Sequence, residues 1–344
     1  MTTTTRDTAR ARRARRHLGG VAGGLVGALV LAACSTPLPT PQPDATQDPP
    51  PAVLTEAQET EVLAAVGESL QAANEANDPA QLDGRVVGPA LAIRTSQLAV
   101  AAARGNADLV TELPTDVQQV VVPTTQTWPR TSYAVSVQPE NLQPPRLMAL
   151  EQQGPRDEYA LWGWVQLLPG VTMPSFADPS IGSEAVAPDD DTLLLSPTDA
   201  VAQYVDVLNL ADGSGFAATF PDDALRQFLA QEAERHKAPL ETAAGSRTMT
   251  FATTDEPVRA VRTADGGAMV MAPLTSLETF QVEEGGTVSP PTETQKALFG
   301  ANAATNVLKV GYNDLVALYV PPAGSEETPR LLGYTHVATS VANQ

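Results

Sequence analysis

One change of rhythm, made twice, constrains this chain more than any other feature. From residue 55 apolar side chains recur at helical spacing, and after Gly105 the spacing falls to two. The helical stretch opens on Thr55-Glu56-Ala57-Gln58, a capping box in which threonine and glutamine side chains satisfy orphan N–H groups. Val62, Leu63, Val66, Leu70 and Ala73 follow on one face, and Asn77-Asp78-Pro79 breaks the helix. The next pattern predicts a helix with Leu91, Thr95, Leu98 and Ala102 on one face, stopping at Gly105-Asn106. Strand signals then run over Val120 to Val122, Ser132 to Val137, Leu147 to Gln152 and Tyr159 to Leu168. Both faces of the last are apolar, as in a central strand covered on both sides.

The plan then repeats. Ser196-Pro197-Thr198-Asp199 offers an N-cap serine, proline at the first helical position and an acid at the third, 141 positions after Thr55. Val201, Tyr204, Val205 and Leu208 form its apolar stripe, and Asp212-Gly213-Ser214-Gly215 ends it. A second helix carries Leu225, Phe228 and Leu229. Strands are predicted at Thr248 to Ala252, Val258 to Thr263, Ala268 to Val282, Leu308 to Val320 and Arg330 to Thr339, with a hairpin at Ala264-Asp265-Gly266-Gly267. Helices followed by blocks of strands predict an α+β fold. The acidic, proline-rich stretch Asp178 to Asp191 is the natural boundary. It divides the body into a first domain over 54–177, a linker over 178–195 and a second domain over 196–344.

A helical hairpin on a curved antiparallel sheet resembles the NTF2-like cone fold. The likeness rests on element order, with Tyr312 to Pro322 and Leu332 to His336 as its best segments. It implies two tandem cone-shaped domains. Over residues 55–340 the chain is similar to actinobacterial lipoproteins of unknown function built on tandem domains of this type. The resemblance implies no particular catalytic residue.

The N-terminus has a different character. Six arginines and one acid precede Cys34, so 15 of the 21 basic and 39 of the 40 acidic residues lie from Cys34 onward, a net charge of −24 against −19 for the whole chain. Leu18 to Ala33 is an uncharged apolar run of 16 residues. At about 1.5 Å per residue it spans about 24 Å, short of a ~30 Å hydrocarbon core. Basic flank and short run predict a cleaved signal peptide over residues 1–33. Leu31-Ala32-Ala33-Cys34 resembles the bacterial lipobox, which implies that Cys34, the sole cysteine, is diacylated and becomes the first mature residue. Arg15-Arg16 leaves twin-arginine export open as an alternative route. Two acyl chains anchor stably, and anionic headgroups repel an acidic body. Residues 34–53 are then a tether, with seven prolines among residues 36–51, a semi-rigid spacer. The expected location is the outer face of the cytoplasmic membrane, in the cell envelope.

Chemistry is sparsely marked. A single cysteine excludes an internal disulfide and a paired-cysteine zinc site, and the acidity argues against nucleic-acid binding. The chain contains no G-x-S-x-G, GxxxxGK[ST] or H-E-x-x-H motif, and no cofactor or metal is expected. Beyond Cys34 there are two histidines, His236 and His336. Period two puts Leu332, Tyr334, His336 and Ala338 on one face. Tyr312, Asp314, Tyr334 and His336 are therefore candidates to line a cone cavity, as acids and tyrosines do in NTF2-like enzymes of the ketosteroid isomerase type; ordinary core packing is the alternative. His236, late in a charged helix, reads as a complement to the helix dipole. Asp189-Asp190-Asp191 lacks the glycine and closing glutamate of a calcium loop and reads as a solvated linker. Trp128, Trp162 and Trp164 could stack on sugars; Trp162 and Trp164 share a strand face, which favours core filling.

Together these features predict a lipid-anchored, non-catalytic binding or scaffolding module, its partner an envelope protein or a small hydrophobic ligand. The alternatives are an isomerase or hydratase using Asp314 and His336, and a solute-binding transport lipoprotein.

Overall fold

The computed structural model describes residues 50–82, 84–139 and 142–343. The signal peptide, the lipobox with Cys34 and most of the tether lie outside them. Helices α1 (Glu56–Ala76) and α2 (Gly88–Arg104) precede strands β1 (Val117–Val121), β2 (Arg130–Ser136), β3 (Arg146–Gln152) and β4 (Ala160–Leu167). Helices α3 (Pro197–Leu210) and α4 (Ala224–Thr242) precede β5 (Ser246–Thr253), β6 (Arg259–Arg262) and β7 (Ala268–Gln281); α5 (Glu293–Phe299), β8 (Val307–Val320) and β9 (Arg330–Ala342) complete the chain. The fold is α+β with an antiparallel sheet.

Local signals set the helix starts. Thr55 and Gln58 form the reciprocal cap of α1, and Ser196 Oγ accepts the Asp199 N–H at the start of α3. A second capping box, Thr292 with Gln295, starts α5, which the apolar spacing does not announce because the helix has only seven residues.

The strands of both halves join in one sheet, ordered β1-β2-β3-β4-β9-β8-β7-β5, with β6 beside β5 along the long strand β7. The junction is β4 against β9, at Gln166↔Tyr334 and Leu167↔Gly333. Alternate residues of β7 and β8 divide between two cores. Met269, Met271, Leu315 and Ala317 face the core of α1, α2 and the first four strands. Val270, Ala272, Val316 and Leu318 face the core of α3. A smaller third core lies under α5, around Phe280, Phe299 and Leu308. The first helical pair thus buries itself partly on strands of the second half.

Side chains reinforce the junction. Arg259 on β6 forms a bidentate pair with the buried Glu151 on β3, its guanidinium 4.7 Å from the Trp162 ring. Trp162 Nε1 donates to Glu256 (2.9 Å), and Thr335 Oγ1 to the Trp164 carbonyl (2.7 Å). Trp162 and Trp164 fill the core; Trp128 lies on the surface against Arg130.

Several expectations need correction. On α2 Leu98 is buried as expected, but Leu91, Thr95 and Ala102 are exposed, and a buried stripe runs instead through Ala90, Ile93, Arg94, Gln97 and Ala101. Hydrophobicity conceals that face because two of its members are polar. Arg94 is 1% exposed, donates to the Thr111 carbonyl at 2.9 Å and lies over Trp164; Gln97 exchanges two hydrogen bonds with Thr111. Burial pulls the Arg94 pKa down to about 10. On β9, a bulge between the pairs Leu318↔Leu331 and Ala317↔Gly333 turns Leu332 into the first core, away from the face of Tyr334 and His336. The acidic stretch before α3 is no free linker. Val186 and Leu193 are buried, the Val186 N–H reaches the Ala260 carbonyl, the Leu194 N–H reaches Pro321, and Asp190 pairs with Arg262 at 2.6 Å. Asp189 and Asp191 are exposed. The last tether residues are also docked, the Val53 N–H donating to the Pro123 carbonyl.

Candidate functional site

Asp314 stands mid-strand on β8, in register with Leu274 on β7 and His336 on β9. Ser276 Oγ donates to Asp314 Oδ2 at 2.6 Å, and Asp314 Oδ1 lies 2.5 Å from His336 Nδ1. Asp314 is buried, so the carboxylate is committed to these two partners. In the neutral ring, a carboxylate on Nδ1 selects the tautomer with the proton there and leaves Nε2 with its lone pair. Among the described residues no hydrogen bond reaches Nε2. Aromatic rings fix the imidazole plane. Tyr312 stacks on it at 4.1 Å and 12°, Phe228 meets it edge-on at 5.9 Å, and Phe251 lies 6.4 Å away.

Tyr312 is held in turn. Its hydroxyl donates to Glu278 Oε2 (2.6 Å) and accepts from Gln295 Nε2 (3.2 Å). Burial and the Glu278 carboxylate push the phenol pKa far above its usual value. Arg247 Nε donates to Glu278 Oε1 (2.6 Å), and the guanidinium lies over Phe280. The two Arg247 amino groups make no hydrogen bond among the described residues. A continuous row results: Arg247, Glu278, Tyr312, His336, Asp314, Ser276.

This row borders a cleft of about 370 Å³ where β5, β7, β8 and β9 meet α2, α4 and α5. Its walls mix apolar side chains, among them Phe228, Leu229, Met249 and Val337, with Gln97, Thr294, Glu232 and His236. That is the volume and lining of a small-molecule site. An adjoining cleft of about 290 Å³ shares His336 and adds Tyr334, Arg146 and Trp164.

The structure thus brings Tyr312, Asp314 and His336 together and places Tyr334 on the neighbouring cleft. His236 lies more than a turn from the end of α4, packs on Phe280 at 5.0 Å and lines the first cleft, so its position is not that of a terminal dipole partner. Both histidines beyond Cys34 therefore face one cavity. Arg247, Ser276, Glu278 and Gln295 belong to no catalytic motif in the sequence. Period two on β7 already aligned Ser276, Glu278 and Phe280, and Thr292-x-x-Gln295 carried a capping signature. No group of three or more His, Cys, Asp or Glu among the described residues is arranged to hold a metal ion.

The family model described as a domain of unknown function (DUF8094) matches residues 50–342, and the chain belongs to that family. No curated protein and no solved structure matches it.

Proposed function

We propose that this member of the family is a lipid-anchored protein of the cell envelope whose body binds a small, largely uncharged ligand in the cleft beside His336. One observation carries the binding role: the row from Arg247 to Ser276 fixes polar groups along a cleft of ligand size, with Nε2 of His336 uncommitted. The lipobox-like Leu31-Ala32-Ala33-Cys34 and the proline-rich tether support the anchor, holding the acidic body off the outer face of the cytoplasmic membrane. The repeated order of two helices and then strands supports reading the halves as two NTF2-like units that share one sheet. Every named strand pairing is antiparallel, which gives no support to a two-lobed, parallel-sheet transport protein.

Two measurements test this reading. In the expressing cell, Cys34→Ser should abolish labelling by palmitate and move the protein from the detergent to the aqueous phase of Triton X-114. For the cleft, a library of neutral fragments screened by thermal shift should yield stabilising compounds, and Thr294→Trp, which fills the cavity from its half-buried wall position, should abolish their effect. Stabilisation that survives Thr294→Trp would remove the cleft from consideration.

A further inference from the structure

We propose that the Asp314–His336 pair activates a water molecule and that the cleft hydrolyses a small neutral carboxylic ester. The inference rests on the reading of the cleft as a ligand site. Three features of the pair go beyond what binding or packing needs. The carboxylate that orients the imidazole is buried and is itself held by Ser276, so its position is fixed before any ligand arrives. Tyr312 and Phe228 hold the ring plane from two directions. The His336 side chain is only 10% exposed, yet the ring borders the cleft and Nε2 has no protein partner among the described residues. An imidazole with Nδ1 on a carboxylate and Nε2 open to a cavity is the base half of a hydrolytic triad.

The other half differs from a triad. Among the described residues no serine, threonine or cysteine is hydrogen-bonded to Nε2, so the group the base can deprotonate is water. In the first step Nε2 takes a proton from water as its oxygen bonds to the acyl carbon, and the carbonyl electrons move onto oxygen. In the second the carbonyl re-forms, the bond to the leaving oxygen breaks, and Nε2–H returns the proton to it. The sum is ester plus water giving acid plus alcohol, with no other reactant. The uncommitted amino groups of Arg247 are the cationic donors on the cleft wall that can stabilise the transient oxyanion. The carboxylates of Glu232 and Glu278 on the same cleft disfavour an anionic substrate. The apolar side chains Leu229, Met249 and Val337 suit a short acyl chain.

The test uses the full-length protein in detergent with p-nitrophenyl acetate as probe, each variant checked for folding by circular dichroism. The expected result is saturable release of p-nitrophenolate. Replacing His336→Gln should lower kcat on the order of 100-fold. Asp314→Asn should lower kcat while the imidazole remains, because the orienting carboxylate is gone. If that buried change prevents folding, Thr294→Trp supplies the second variant and should block turnover by filling the cleft. A rate that does not saturate, or that is equal in wild type and His336→Gln, overturns the proposal. Fragment stabilisation that disappears in Thr294→Trp, without any turnover, would overturn hydrolysis alone and leave the binding site standing.

Discussion

The side-chain amide of Asn209 pairs with the backbone of Phe251 in both directions. Its Nδ2 donates to the Phe251 carbonyl at 3.0 Å, and its Oδ1 accepts the Phe251 N–H at 2.7 Å. Asn209 lies on α3 and Phe251 on β5, the last strand of the sheet. An edge strand presents unpaired N–H and C=O groups to any passing chain. The amide of Asn209 occupies one such pair as a neighbouring strand would. Replacing it by alanine should cost about 1 kcal/mol of stability, since the site is partly exposed. It should also raise self-association. Urea unfolding and light scattering, read on the same preparation, check both outcomes.

Gly333 marks where the two halves meet. A Cβ at this position would lie 2.5 Å from the Gln166 carbonyl oxygen and 3.1 Å from Leu167 Cα, both backbone atoms of β4. Backbone has little freedom to yield, so Gly333→Ala should force β4 and β9 apart and cost about 1–3 kcal/mol. Chemical denaturation reads the loss. An unchanged midpoint would show that the junction tolerates separation.

Cooperativity follows from the shared sheet. The first core contains Met269, Met271, Leu315 and Ala317 from the second half, so the first half has no complete core of its own. All three tryptophans lie in the first half. Tryptophan fluorescence and far-ultraviolet circular dichroism should therefore report one coincident unfolding transition. Two separated transitions would mean that the halves are energetically independent.

Glu59 makes stability depend on pH. It is fully buried on α1, accepts from Ser132 Oγ at 2.9 Å, and its second oxygen has no partner. Desolvation raises its pKa from 4.5 to about 7. The folded state thus holds this proton more tightly than the unfolded chain. No penalty exists below pH 4.5; it grows as pH rises and is complete above about 7. Glu59→Gln should be more stable than wild type at pH 8, by ~3 kcal/mol at most. The difference should vanish near pH 4. Urea midpoints across this range measure it.

The candidate site was half legible. Scarcity of histidine singles out His336, and Tyr312, Asp314 and Tyr334 join it only through the likeness to NTF2-like enzymes; that β8 pairs with β9 is decided by the structure. Their partners did not stand out. Glu278 and Ser276 are common residues in a long strand, and Arg247 begins another strand altogether. Only the pairing of β5, β7 and β8 sets Arg247 and Tyr312 on the two oxygens of one carboxylate.

What the sequence determined by itself is local. The caps at Thr55 and Ser196, the stop at Gly105 and the long strands of the second half were all readable, because a cap or a pleat is settled by residues within a few positions of one another. The tertiary structure decided the rest. It turned α2 onto a face containing Arg94 and Gln97, since buried partners on Thr111 offset the cost of desolvating them. It flipped Leu332 with a bulge, docked the acidic stretch before α3, and merged two sets of strands into one sheet. It also brought His236 and His336, 100 positions apart, to one cleft. These outcomes depend on which distant surfaces bury each other, and spacing along the chain does not carry that information.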